Sequence, residues 1–451
     1  MAFHKQTVHK SLLTIPATLF QRGALNFWFA VVCTGLGAGF AAAVFTKILE
    51  WVQHATWSGS GQDILEAASA AAPSLHVFAL VGAGALTAMG QLVLTKLTSG
   101  NSIDVTEAIW FRAGRLPLVR TLGSALLSIV TVGLGASLGR EGAPKQAGAV
   151  FANFFSNRGK LSDDERRLLV ACGAGAGMAA AYGVPLGGAL FALEVLRGVL
   201  ALRLVLPALV ASVLATMVSW IALPDRPTYL IPSFTVSASV LCWAVVAGPL
   251  IGILSVGYVR LIRLADHHKP QNFLRFVVPV FSLGLIGVVS IWFPQILGNG
   301  KDLAQILFSN SVALPLLICL FFLKPLATAL CVGGGTPGGL FTPSLSFGAL
   351  TGAGLGLLWS HIWPGVEPGL FALVGATAML AATTQGPISA LVLMMELTGQ
   401  DRSFIIPVLL AVITATLVAR TIEPRSIYDA RLTDEEVRER LRSRLPATQL
   451  R

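Results

Sequence analysis

Charge is what this chain has least of. Only 12% of its 451 residues are Asp, Glu, Lys or Arg, against about 25% in soluble globular proteins. Polar surface is too scarce for a water-soluble fold, so lipid is the expected solvent. Cysteine is sparse as well: Cys33, Cys172, Cys242, Cys319 and Cys331 stand singly in apolar runs. That spacing excludes a disulfide framework and a cysteine metal motif and leaves them as small core residues. None of the seven histidines sits in the interior of an apolar span, so a membrane-embedded serine nucleophile would lack a base. Residues 1–26 contain no acid and no cleavable apolar core, and they read as a cytoplasmic surface helix, not a signal peptide.

Long apolar runs are abundant. They recur near 27–48, 75–97, 121–138, 169–195, 203–223, 237–262, 276–294, 311–332, 345–359, 369–396 and 404–420, and most approach the roughly 20 residues that cross a bilayer. The chain therefore reads as an all-α polytopic membrane protein. The net charge of +10 comes from Lys and Arg in the short connections and termini, the positive-inside pattern, and does not point to nucleic acid. By the same bias both termini are expected in the cytoplasm. The chain holds 46 Gly and 23 Pro, many of them within the apolar runs. Broken helices at membrane depth are tolerated only where protein or a watery cavity surrounds them, so a pathway is expected.

The sequence also repeats itself. "GAGAGMAAAYGVPLGGALFALEVL" from Gly173 aligns with "GATAMLAATTQGPISALVLMMELT" from Gly375, pairing Gly173/Gly375, Pro185/Pro387 and Glu194/Glu396. "GREGA" at 139–143 aligns with "GLFTP" at 339–343, and Gly148/Gly348 and Ala149/Ala349 follow. Two nearly equal offsets imply a duplicated half of about 200 residues: a surface segment 1–26, halves 27–230 and 231–420, and a tail 421–451. Duplicated transporter halves are often inverted, with sites where broken helices converge near the midplane. A helix N-terminus presents unpaired N–H groups and partial positive charge, so these breaks are candidate anion sites.

The motifs carry a family resemblance. "GREGA" at 139–143, "GGLFTP" at 338–343, "GNSID" at 100–104, "AAAYGVPLGGALFALEV" at 179–195, "AATTQGPISALVLMMELTG" at 381–399 and "RSIY" at 425–428 together resemble the CLC family of chloride channels and anion/proton antiporters, across roughly 27–430. The resemblance implies a homodimer of two-repeat subunits in the bacterial inner membrane, each with its own pore for chloride or another small anion and no cofactor. It makes Glu141 the gating glutamate, in a helix-N-terminus motif with Gly139, Arg140, Gly142 and Gly339. Leu340 and Phe341 would offer backbone N–H groups to the anion, Tyr428 a phenolic hydroxyl from the inner side, and Asn101 would stand at the family's serine position. A carboxylate at the midplane costs about 2.5–3.5 kcal/mol on insertion scales, so Glu141 needs a partner; an N–H-lined anion site supplies one.

The chain departs from the family pattern in three places. "GNSID" carries Asn101, Ser102 and Asp104 where the family has Ser, Gly and Pro, which changes the size and polarity of an anion site. The proline of "GREGP" moves one place to Pro144. The second acid of an adjacent inner pair, a proton relay in family antiporters, is Val195 after Glu194. Valine carries no proton, which favours a channel-like conductance over antiport unless Glu194 substitutes as the relay; its other reading is a helix-packing acid matched by Glu396. Arg140 reads as a structural counter-charge. Lys145 either concentrates anions or snorkels to a vestibule, and Lys324 raises the same choice. "GASLG" at 135–139 matches a nucleophile elbow, but that motif needs a preceding strand, and the run before it suits a membrane helix. After residue 420, "LTDEEVRERLRSRL" reads as a short charged helix, and no regulatory nucleotide-binding domain is expected.

Overall fold

The computed structural model describes residues 15, 16, 21, 23–57, 64–98, 103–309, 312–400 and 404–444. The surface helix expected over 1–26 falls mostly outside that set, as does Asn101. The described residues form an all-helical protein, and seven helices are long and apolar enough to cross a bilayer, among them Ala24–Trp57, Ala238–His267 and Leu314–Gly333. Shorter apolar helices accompany them, Leu118–Gly133, Leu274–Ser290, Pro368–Thr384 and Pro387–Thr398.

The two longest expected spans each prove to be a broken pair. The run 169–195 becomes Asp163–Tyr182 followed by Pro185–Leu190, which continues as a π-helix over Phe191–Arg197. The run 369–396 becomes Pro368–Thr384 and Pro387–Thr398. Both break on a left-handed residue, Gly183 at φ 69° and Gln385 at φ 60°, and both restart on a proline, which suits a first helical position. Gln385 lacks glycine's freedom and is held instead by Arg420, which donates to its side-chain and main-chain oxygens, both at 2.9 Å. At the other end of Asp163–Tyr182, Ser162 and Glu165 form a reciprocal capping box that satisfies two orphan N–H groups.

One helix was not anticipated as a span. Gly142–Arg158 is too rich in small and polar residues to register as an apolar run, yet it is buried along most of its length. It crosses the Asp163–Tyr182 helix so closely that a Cβ on Gly148 or on Gly173 would overlap the other's carbonyl. The matching positions of the second half, Gly348 and Gly375, meet in the same way. The repeated glycines are thus small-residue crossings of the kind that let membrane helices approach closely. Around them the core is Ala, Leu, Val and Phe, while large apolar side chains such as Phe29, Phe40, Ile221, Phe281 and Ile406 point outward.

Candidate anion-pathway site

Two chain breaks meet at the centre of the molecule. Gly139 and Gly339 pair as a short antiparallel bridge, each N–H donating to the other's carbonyl at 2.8 Å. Just beyond, each strand turns into a helix, Gly142–Arg158 and Phe341–Ser360. Glu141 is the N-cap of the first and Leu340 of the second. The sequence motif residues therefore come together: Gly139, Arg140, Glu141 and Gly142 on one strand, Gly339, Leu340 and Phe341 on the other.

Glu141 is 2% exposed, and its carboxylate does not cap its own helix. Oε1 accepts the N–H of Phe341 at 2.8 Å, the first residue of the other helix. Oε2 accepts from the hydroxyls of Tyr182 and Thr342, each at 3.1 Å, and these two hydroxyls lie 2.7 Å from one another. Charge-assisted hydrogen bonds contribute about 1.5–3 kcal/mol each, and the N-terminus of a helix adds a partial charge of about +0.5. Together these offset the several kcal/mol that an ion loses on burial. The fit leaves no room for side chains: a Cβ on Gly139 or Gly339 would collide with the carboxylate.

Tyr182 and Thr342 are site residues that the motif comparison passed over. Both lie inside quoted motifs, and the chain has only four tyrosines. A tyrosine directly before a repeated helix break was the available signal. Tyr182 also connects the carboxylate to a polar cavity of about 390 Å³ that it lines together with Arg140, Arg226, Lys301, Glu50 and Asp302. Arg140 stacks over the Tyr182 ring at 4.8 Å, so it stands on the cavity side of Glu141.

Lys145 and Tyr428 stand apart from that cavity and do not line it. Lys145 is one helical turn beyond Glu141, 6% exposed, with its ammonium 4.6 Å from the centre of the Tyr428 ring. Phe191 meets the same ring edge-on at 5.5 Å. Asp104 caps the Val105–Phe111 helix through Thr106 N–H at 2.8 Å and pairs with Arg431 at 3.2 Å. Burial opposes ionisation of Asp104, but Lys145, Arg431 and the Thr106 N–H outweigh it and hold its carboxyl below the ordinary range. Tyr428 is followed by Asp429, which pairs with the buried Arg440 of the tail helix Asp434–Arg444. Arg440 also donates to the Val195 carbonyl at 2.8 Å.

Glu194 lies elsewhere. Its carboxylate accepts the N–H groups of Ile388 at 3.2 Å and Ser389 at 2.6 Å, at the start of the Pro387–Thr398 helix. Its repeat mate Glu396 accepts those of Leu186 at 3.0 Å and Gly187 at 2.6 Å, at the start of Pro185–Leu190. Ser137 is fully buried beside Thr328 at 3.5 Å and is preceded by a helix, Leu118–Gly133. The strand that a nucleophile elbow requires is absent there.

Residues 84–420 match the family profile described as voltage gated chloride channel. The chain is 33% identical over 411 residues to proteins of two Escherichia coli strains, each named voltage-gated ClC-type chloride channel ClcB, covering 87% of this chain and 96% of each relative. Among solved structures, a slow cyanobacterial Cl⁻/H⁺ antiporter superposes with a TM-score of 0.79 at 22% identity, over 92% of this chain and 99% of that one. A CLC-type fluoride/proton antiporter does so with a TM-score of 0.68, also at 22% identity and with the same coverage. With its membrane-length helices, the chain is a multi-pass protein of the bacterial inner membrane, and it belongs to the voltage-gated chloride channel family of anion transporters.

Proposed function

We propose that the chain conducts chloride or another small anion between the Arg140-lined cavity and the Lys145–Tyr428 side, with the Glu141 carboxylate as a removable plug. The observation that carries this reading is the setting of that carboxylate. It is a buried anion held by a helix N-terminal N–H and two hydroxyls, all groups that would serve a transported anion equally well. Protonation cancels the attraction, so the side chain leaves and an anion takes its place.

Within the family, a passive electrical shunt is favoured over proton-coupled exchange. Val195 is buried and cannot relay a proton. The neighbouring Glu194 is occupied at a helix N-terminus, matched by Glu396 in the other half, which is the pattern of a structural acid. In this reading the protein compensates charge when protons cross the inner membrane. Its relatives of similar fold include two proton antiporters by name, so coupled exchange is the second reading. Anion efflux from liposomes, with external pH recorded in the same vessel, separates them. Fast chloride exit with no proton movement supports the shunt. Uphill proton movement driven by a chloride gradient overturns it, and absence of any anion flux overturns both.

A further inference from the structure

Outside the lining of the Arg140 cavity, two neighbouring polar heads lack an acceptor among the described residues. The Tyr428 hydroxyl is buried and has no hydrogen-bond partner among the described residues. Lys145 as a residue is more than nine-tenths buried, and among the described residues its ammonium makes no hydrogen bond or ion pair; it faces the Tyr428 ring at 4.6 Å. The acid that acts most strongly on Lys145, Asp104, already accepts the Thr106 N–H and the Arg431 guanidinium. The other acid that acts on Lys145, Glu141, is taken up by Phe341, Tyr182 and Thr342. A cation–π contact offsets only part of what an ammonium loses on leaving water. Two neighbouring donors without acceptors describe a cradle for an acceptor that carries negative charge.

We infer that Lys145 is a fixed positive charge in an anion site shared with Tyr428, and that it sets how tightly a small monovalent anion binds there, one helical turn beyond the Glu141 plug. The inference rests on the anion-pathway reading above. Phe191 against the Tyr428 ring and the Asp429–Arg440 pair beside it fix the phenol, so the site is preorganised. Asp104 tempers it: its charge partly cancels that of Lys145 on the anion, and removing it leaves a stronger field.

The test is a calorimetric titration of the purified full-length protein with chloride, alongside chloride efflux from liposomes. Lys145→Gln is expected to weaken chloride binding about tenfold or more, while Lys145→Arg, which keeps the charge, stays within about threefold of the wild type. Asp104→Asn is expected to tighten binding by about threefold or more, an opposite sign that structural damage would not produce. Wild-type protein that moves no anion defeats the pathway reading itself. Wild-type protein that conducts, with Lys145→Gln binding chloride as tightly as before, overturns the role of Lys145 alone. If Lys145→Gln does not fold, the Asp104→Asn titration decides: unchanged or weaker chloride affinity overturns the inference.

Discussion

Carboxylates of the first half reach helix N-termini of the second in two ways, through Glu194 and through Glu141, and the two differ in symmetry. Glu194 and Glu396 are repeat mates, and each accepts two N–H groups at the start of the other half's helix. Glu141 has no such mate. The residue at its position in the second half is Phe341, and it is Phe341 whose N–H the carboxylate accepts. A contact made identically by both copies of a duplicated unit fastens the copies together. A contact that only one copy can make breaks the symmetry, and at Glu141 it does so where the two chain breaks bridge through Gly139 and Gly339.

The sharpest way to break this comparison is to neutralise the unpaired acid. Glu141→Gln or Glu141→Ala is expected to raise anion efflux near neutral pH by about tenfold or more, since 1.4 kcal/mol of lost occlusion already corresponds to that factor. It should also flatten the dependence of efflux on pH. Full pH dependence retained in Glu141→Gln would end the plug reading. Next in size is Gly339→Ala. Its added Cβ overlaps the Glu141 carboxylate, so the plug is expelled without touching its charge. Efflux should rise part of the way towards that of Glu141→Ala, and the double variant should behave as Glu141→Ala alone. Additive effects in that cycle would mean that the two residues act independently.

The symmetric pair predicts the opposite phenotype. Glu194→Gln and Glu396→Gln should each lower the melting temperature by the equivalent of about 1–2 kcal/mol, the usual scale for losing a cap, and leave anion selectivity and pH dependence as they were. The informative outcome is inequality. If Glu194→Gln abolished a proton flux that Glu396→Gln left intact, Glu194 would be a relay, and symmetry would not distinguish scaffold from function here.

Much of this was legible because a duplicated membrane chain writes its geometry twice. Gly148/Gly348 and Gly173/Gly375 are identical pairs in sequence, and in space they are close helix crossings; Pro185/Pro387 mark helix restarts. Apolar runs showed where chain lies in lipid but not where it breaks, because Gly183 and Gln385 interrupt helices without interrupting hydrophobicity. The Gly142–Arg158 helix escaped for the converse reason: a helix enclosed by protein needs no apolar exterior. Tyr182 and Thr342 were hidden because their role depends on a meeting of segments about 160 residues apart, a proximity that local patterning does not encode. Arg440 looked like one more charge on a mixed-sign tail helix, yet it is buried against Asp429 and the Val195 carbonyl.

The smallest expected effect probes how the plug is shared among its donors. Tyr182→Phe removes one hydroxyl from Glu141 Oε2 and leaves the ring that Arg140 stacks on. Thr342 lies within 3.1 Å of the same oxygen, and its hydroxyl, released from Tyr182, can donate wholly to the carboxylate. The net loss is therefore expected to be about 1 kcal/mol, the ordinary worth of a single hydrogen bond, and efflux should rise only about fivefold. Thr342→Val alone should do the same, whereas the Tyr182→Phe, Thr342→Val double variant leaves Oε2 with no donor and should exceed the product of the single effects. A double variant no faster than either single would mean that the Phe341 N–H holds the carboxylate by itself. The asymmetry of the site would then lie in one backbone group at one helix N-terminus.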